Sequence, residues 1–369
     1  MKYPIGIQDF EDLQRNGYAY VDKTNFVYKL ADEGKYYFLS RPRRFGKSLF
    51  LSTLEAYFQG KKELFEGLAI YDLETEWKKY PIFHIDLNTA NFREKDSLYT
   101  VLNDYLTTWE SKYGTRESEA TLALRFKGVI ARAAEKEGCG VVILIDEYDK
   151  PILQTLRDPE LQAEHRAQLK AFYSVLKTQD RYIKFAFLTG VTKFGKVSVF
   201  SDLNNLMDIS MDHRYISICG MTEKELLTNF KEGINELASA NEDNETETID
   251  KLRMRYSGYH FEENSEEIYN PFSVLNTLAN SRYDDYWFKA NTHTFLIDIL
   301  KKHDYCITDL NKAQVKANMM NNVDSNPIPV IYQSGYLTIK SYDERFKNYQ
   351  LGIPNKEVEE SILNIFSPL

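Results

Sequence analysis

The sequence predicts an α/β fold, a parallel sheet flanked by helices, followed by a mainly helical C-terminal region with short strands. Three observations predict it. Apolar runs of strand length alternate with long amphipathic stretches over the first 220 or so residues. A Gly-Lys-Ser tripeptide separates the first such run from the first strongly helical segment. Near residue 220 the alternation stops and a helix-capping signal opens a region of different pattern.

The elements follow in order. After an N-terminal segment, 1–34, "YYFLS" (36–40) is a short apolar-aromatic strand. From Ser48 onward Leu49, Leu51, Leu54 and Phe58 recur at helical intervals. Further strands are expected at "PIFHIDL" (81–87), "VVILID" (141–146), "IKFAFLT" (183–189) and "YISI" (215–218). The stretches "SLYTVLNDYLTTW", "ATLALRFKGVIARAAEK" and "EHRAQLKAFYSVLKT" carry helical periodicity between them, which places helices on both faces of a parallel sheet. Thr222 then stands as a helix N-cap with Glu225 three residues on, the spacing of a capping box. The polar "ASANEDNETET" reads as a solvated loop, and "GYHF", "EEIYN" and "PVIYQSGYLTIK" read as strand-like pieces. Two domains result: 1–220, with 1–34 packed on it, and 221–369, mainly helical and open to a winged-helix-like form.

Bulk properties narrow the function classes. At 43% hydrophobic content over 369 residues there is ample material for a large core. The 26 Tyr and 22 Phe serve cores, interfaces and base stacking alike, so they separate nothing. A formal charge of −9 argues against a chain that coats nucleic acid, and leaves only local contact with it. Cys139, Cys219 and Cys306 are odd in number and lack CxxC spacing, which points away from a disulfide framework or a zinc site and toward a reducing cytoplasm. "MKYPIGIQDF" lacks the apolar core of a signal peptide, and no run approaches the roughly 18 apolar residues of a membrane span. His84, His165, His213, His260, His293 and His303 are scattered without metal-ligand spacing.

The chemistry concentrates in "FLSRPRRFGKSLF" (38–50). The phosphate-loop pattern GxxxxGK[ST] asks for glycine at 41, and Arg41 stands there, followed by Pro42, Arg43 and Arg44. A lone GKS is common and can be an ordinary βα turn. Between an apolar strand and an apolar-periodic helix, however, backbone N–H groups and the positive helix end converge on an anion. The residues Arg43, Arg44, Phe45, Gly46, Lys47, Ser48 and Leu49 then bind a nucleotide, with Lys47 reaching its terminal phosphates and the Ser48 hydroxyl ligating Mg²⁺. The first glycine of such a loop relieves crowding where the chain leaves the strand, and an Arg tolerates positive φ poorly, so a differently shaped entry is expected. Pro42 is expected to stiffen this entry, and Arg43 or Arg44 either to add charge near the phosphates, to meet a neighbouring acid, or to form a solvated basic turn. About a hundred residues on, "VVILIDEYDK" ends a strand in Asp146 and Glu147, at the sheet edge where such folds bind ligands. Asp146 is expected to hold the magnesium through water and Glu147 to activate the attacking water as general base.

With these residues the chain resembles the AAA-ATPase-like family of bacterial P-loop proteins. The likeness runs through "PIGIQDFEDL", "YVDKTNFVYKL", "YYFLSRPRRFGKSLFLSTLEAYFQGKKELFEGL", "VVILIDEYDKPI", "FLTGVTKFGKVSVFSDLNNLMDIS", "CGMTEKEL", "YSGYHF", "YNPFSVLN" and "YQSGYLTIK". The resemblance implies that RPRRFGKS is the usual loop of the family, so that Arg41 is a family trait. It implies an additional-strand P-loop NTPase sheet, AAA-like, in which 183–189 is inserted between the two motif-bearing strands. It further implies a polar γ-phosphate sensor at the end of that strand, Thr189 or Thr192, and a charged partner among Lys193, Lys196 and Arg214. Asp22, Lys23 and Thr24 either cap the following helix or lie near the adenine. Longer relatives continue into a PD-(D/E)XK nuclease-type domain. That part does not follow "LGIPNKEVEESILNIFSPL", so no nuclease activity is expected of these residues.

The function implied is a cytoplasmic Mg²⁺-dependent ATPase, acting on the phosphoanhydride bond of ATP, whose ATP and ADP states switch conformation and regulate an attached effector or protein partner. Assembly into homo-oligomers is compatible with it. Two alternatives stand beside it: a nucleotide-binding switch or scaffold with negligible hydrolysis, and a nucleic-acid-processing module acting with a nuclease-type domain.

Overall fold

A computed structural model describes residues 1–193, 203, 205–289, 296, 310, 312–320 and 326–366. The chain divides into two compact units. The first comprises Met1–Lys23, Arg41–Phe50 and Ser210–Leu369, and the second Thr24–Ser40 and Leu51–Ile209.

The second unit is built on a five-stranded sheet of β1 (Tyr36–Ser40), β2 (Ile82–Asp86), β3 (Val141–Asp146), β4 (Ile183–Gly190) and β5 (Met207–Asp208), in the order β2-β3-β4-β1-β5 with all neighbours parallel. Every residue of β1 and β3 is buried, so strands covered on both faces read as unbroken apolar runs. At the edge, β2 alternates instead, with Phe83 and Ile85 buried and His84 half-buried. β4 lies between β3 and β1, the place that the resemblance assigns to the inserted strand. Register sets Ser40 beside Gly190 and Ile145 beside Leu188, which gathers the carboxyl ends of β1, β3 and β4 at one edge. Helices α5 (Ser97–Tyr113), α6 (Leu122–Glu137) and α8 (Pro159–Thr178) pack through aromatic rings, with Phe126 stacked on Phe172 at 4.3 Å and Trp109 on Phe83 at 4.5 Å.

One expected strand is not a strand. "YISI" falls in the 3₁₀ segment His213–Ile218, and the fifth strand is the two-residue β5, paired with Tyr37 and Phe38. Tyr215, Ile216 and Ile218 are buried, and a short buried turn and a short buried strand give the same apolar run. The carbonyls of Tyr215 and Ile216 are also engaged by the Arg41 guanidinium.

In the first unit, helices Glu223–Asn229, Lys231–Ala240, Glu245–Tyr256 and Pro271–Asn280 contribute Leu226, Ile234, Leu252, Tyr256 and Val274 to one core, joined by Phe230 from between the first two. The Thr222–Glu225 capping box is present. The polar stretch expected as a loop instead contains a second box, Asn244 with Glu247, which opens the helix Glu245–Tyr256 after a tight turn. "GYHF" and "EEIYN" contribute the isolated bridges Tyr259–Ile268 and Met221–Tyr269 rather than ladders. "PVIYQ" is helical, Pro327–Gln333, because Asn326 caps it and Pro327 supplies a preset φ at its first position. The strand begins only at Thr338. β6 (Gln314–Lys316), β7 (Thr338–Asp343) and β8 (Asn348–Gly352) form a separate antiparallel sheet in the order β6-β8-β7. Among the described residues no helix is long and apolar enough to cross a membrane.

Candidate nucleotide site

The loop begins at the residue after β1. Arg41 is buried, and its Nη1 donates to the Ser210 carbonyl at 2.7 Å, while Nη2 donates to the Tyr215 and Ile216 carbonyls at 3.2 and 3.3 Å. The guanidinium also lies over the Phe261 ring, 4.0 Å from its centroid. Arg41 does not take a positive φ. That conformation falls on Arg44, at φ 67°, and on Gly46, at φ 93°. Arg41 is therefore a strut rather than a replacement for glycine, and it costs a buried charge that three carbonyls offset.

The rest of the loop is held in the same way. Pro42 packs so closely on Gly335 that a Cβ there would come within 2.8 Å of it. The Arg43 carbonyl accepts from the Trp287 indole N–H at 3.1 Å, and the exposed Arg44 places its guanidinium 4.9 Å from the Phe272 ring centroid. Phe45 is buried edge-on to Tyr259 and Phe261, and its carbonyl accepts from the Gly220 N–H at 2.9 Å. Lys47 is buried, with its amine donating to the Arg41 and Pro42 carbonyls at 3.1 and 3.3 Å. Ser48 and Leu49 are half-buried at the start of α3 (Lys47–Phe58). Gly46 is exposed, and a Cβ there would meet nothing within 4 Å, so space is open beside the tripeptide.

An apolar pocket adjoins Gly46 within the same unit. Val21, Phe45, Leu49, Cys219, Met221 and Phe230 line it, and Lys23 is at its wall. Lys23 is buried, and burial lowers its pKa, opposed by the Glu225 carboxylate 2.5 Å from its amine. Thr24 opens α2 (Thr24–Glu33), and its hydroxyl accepts from the Ile70 N–H at 3.1 Å. Composition gave no sign of this pocket, because its walls come from three separated stretches of chain.

The acids belong to the second unit. Asp146 ends β3 and accepts from the Thr189 hydroxyl and from the Glu147 N–H at 3.0 Å. Two residues singled out separately in the sequence, Asp146 and Thr189, are thus hydrogen-bonded to one another. Glu147 sits at φ 51°, a left-handed conformation that costs a non-glycine residue roughly 1 kcal/mol or more and is typical of residues held for function. Thr192, the other sensor candidate, donates its hydroxyl to Asp149 at 2.6 Å. Lys193 forms a buried ion pair with Asp208 at 3.0 Å, and Arg214, in the first unit, pairs with Asp212 at 2.7 Å. Lys196 lies outside the described residues. Asp149 escaped the sequence reading, since an acid three places after Asp146 looks like a cap for α7 (Lys150–Gln154).

Among the described residues no cluster of three or more His, Cys, Asp or Glu side chains could hold a metal ion. The donors that the sequence offers, the Ser48 hydroxyl and the Asp146 carboxylate, suit Mg²⁺, which takes one or two protein oxygens and completes its shell with water and phosphate.

The model of the predicted AAA-ATPase family, AAA-ATPase_like, matches residues 4–200. The chain belongs to this family. The chain is also similar to an uncharacterised protein of the vnfD 5′ region of Azotobacter chroococcum mcd 1, 38% identical over 367 residues, 98% of this chain and 69% of that protein. Among solved structures, the Aeropyrum pernix ORC2 protein in its ADPNP–ADP complexes aligns over 96% of this chain and 92% of that one, at 12% identity and a TM-score of 0.33. The fold is a parallel sheet flanked by helices, and the family ties it to nucleotides.

Proposed function

We propose that the protein binds Mg·ATP, hydrolyses it, and uses the difference between its ATP and ADP states to move a C-terminal domain, 221–369, that governs an attached effector or a protein partner. The observation that carries this reading is the construction of the loop. The Gly46–Lys47–Ser48 tripeptide, its Arg41–Phe45 approach and the adjoining apolar pocket are held by residues beyond 209, among them Ser210, Tyr215, Gly220, Tyr259 and Trp287. A nucleotide in that pocket touches the later region and the loop together, so a change in its phosphates is felt by both.

The nucleobase enters the apolar pocket against Phe45 and Leu49, and the loop from Arg43 to Ser48 receives the phosphates on backbone N–H groups. Lys47 exchanges its loop carbonyls for phosphate oxygens. Ser48 and Asp146 would hold Mg²⁺, which neutralises charge on the phosphate oxygens when bound. Glu147 takes a proton from water as the water oxygen attacks the γ-phosphorus, and the bond to the bridging oxygen breaks to release ADP and phosphate. Thr189, bound to Asp146, reports the presence of the γ-phosphate, with Thr192 supporting the same strand end. A cytoplasmic setting and assembly of several copies fit this role.

Calorimetric titration with Mg·ATP tests the binding site. The parent should bind, and Lys47→Ala should bind at least tenfold more weakly, because a charge-assisted contact to phosphate is lost. Equal affinity of the two would sink the assignment.

A further inference from the structure

Beyond β3 the chain does not leave the sheet but wraps around the end of β4. The Tyr148 N–H donates to the Thr189 carbonyl at 3.0 Å, and the Tyr148 hydroxyl donates to the Thr192 carbonyl at 2.9 Å. Asp149 is fully buried and turns its carboxylate away from the helix whose N-cap position it occupies. Its Oδ1 accepts from the Val191 N–H at 3.2 Å, and its Oδ2 accepts from the Thr192 N–H at 2.7 Å and the Thr192 hydroxyl at 2.6 Å. Between these bonds sits Gly190, where a Cβ would come within 2.6 Å of the Tyr148 ring and 2.7 Å of Asp149 Oδ1. One backbone bond and the side chains of Tyr148 and Asp149 thus join the two segments.

We propose that Asp149 is a positioning residue that locks the Thr189–Thr192 strand end to the Asp146–Glu147 turn, so that the acids and the threonine next to them move as one body. The inference rests on the ATPase reading above for its consequence, but not for the lock itself. An ionised carboxylate is required for it. Both oxygens accept from backbone N–H groups, so an asparagine in either orientation would set its own NH₂ against one of them. Keeping that charge buried is costly: burial, reinforced by the nearby Glu147, pushes the carboxyl up to about 6 despite the Thr192 and Val191 donors. A cap for a five-residue helix does not need such a group, whereas a rigid link between a general base and a phosphate sensor does.

The test compares the parent, Asp149→Asn and Thr192→Val by two readouts. Hydrogen–deuterium exchange of a peptide spanning 188–193 reads the lock without reference to activity. Calorimetry and phosphate release, taken below each variant's melting temperature, separate ATP affinity from kcat. The inference predicts faster exchange in Asp149→Asn, an affinity within about threefold of the parent, and kcat reduced at least tenfold, with Thr192→Val showing the same signature more weakly. If Asp149→Asn fails to fold, Thr192→Val alone decides. Exchange and kcat both at parental values overturn the inference. So does faster exchange with unchanged kcat, which leaves Asp149 a merely structural acid. A parent that hydrolyses nothing refutes the ATPase reading instead, and the exchange arm then still decides whether the lock exists.

Discussion

Arg41 serves the loop through its side chain, in the place where the phosphate-loop pattern puts a glycine. The left-handed backbone of the loop lies at Arg44, two places before Gly46. No local spacing could have told this, because the three carbonyls that receive the guanidinium lie about 170 residues along the chain. The proposal is testable by restoring the glycine. Arg41→Gly should destabilise the fold by about 3–5 kcal/mol in urea unfolding, the cost of leaving carbonyls buried without their charged donor. A neutral result would mean that Arg41 only substitutes for glycine. Glu357 gives a second test at this scale. It is fully buried, and burial raises its carboxyl from 4.5 to about 8, although the Trp287 N–H and the Ser273 hydroxyl donate to it. Its folded-state pKa is above the unfolded value, so its contribution to stability is fully present below about 4.5 and is lost as pH rises through about 8. Glu357→Gln, which imitates the protonated form, should flatten the fall in melting temperature between pH 5.5 and 8. The difference is at most about 1.4 kcal/mol per pH unit. Parallel pH profiles for the two proteins would refute it.

At the level of elements, legibility followed burial. β1 and β3 are buried along their whole length and β4 at every residue but Lys184, and the sequence marks them within a residue or two. Their order was not in the periodicity at all and came from the family resemblance. β5 has only two residues, too few to carry any pattern, while "YISI" and "PVIYQ" are apolar without being strands. The contrast between Thr222 and Asn244 is instructive. Both open helices through the same reciprocal bonds with an acid three residues on, but Asn244 is embedded in a polar stretch with no apolar run to announce a helix. Thr222→Ala and Asn244→Ala should each cost about 1 kcal/mol, measured by chemical denaturation, and the two losses should add. An unchanged stability for Asn244→Ala would make its box incidental to the helix.

For the molecule as a whole, the candidate residues stand out in the sequence and their surroundings do not. Lys47, Ser48, Asp146 and Glu147 stand out in one dimension because phosphate loops and acid-ended strands have short signatures, and strand order then accounts for the Asp146–Thr189 bond. The pocket beside Gly46 draws its walls from 4–23, 45–50 and 218–275, and the loop draws its supports from 210 onward, so only the folded chain brings them together. That arrangement is why nucleotide state and the later region are read as one switch. The proposed switch depends on water attacking ATP under the control of Glu147. The direct measurement is phosphate release at saturating Mg·ATP for the parent and for Glu147→Gln. Steady turnover is expected of the parent, and at least about a hundredfold slower release of the variant, with ATP still bound. Equal rates in the two, or a parent that binds ATP and releases no phosphate, would contradict it.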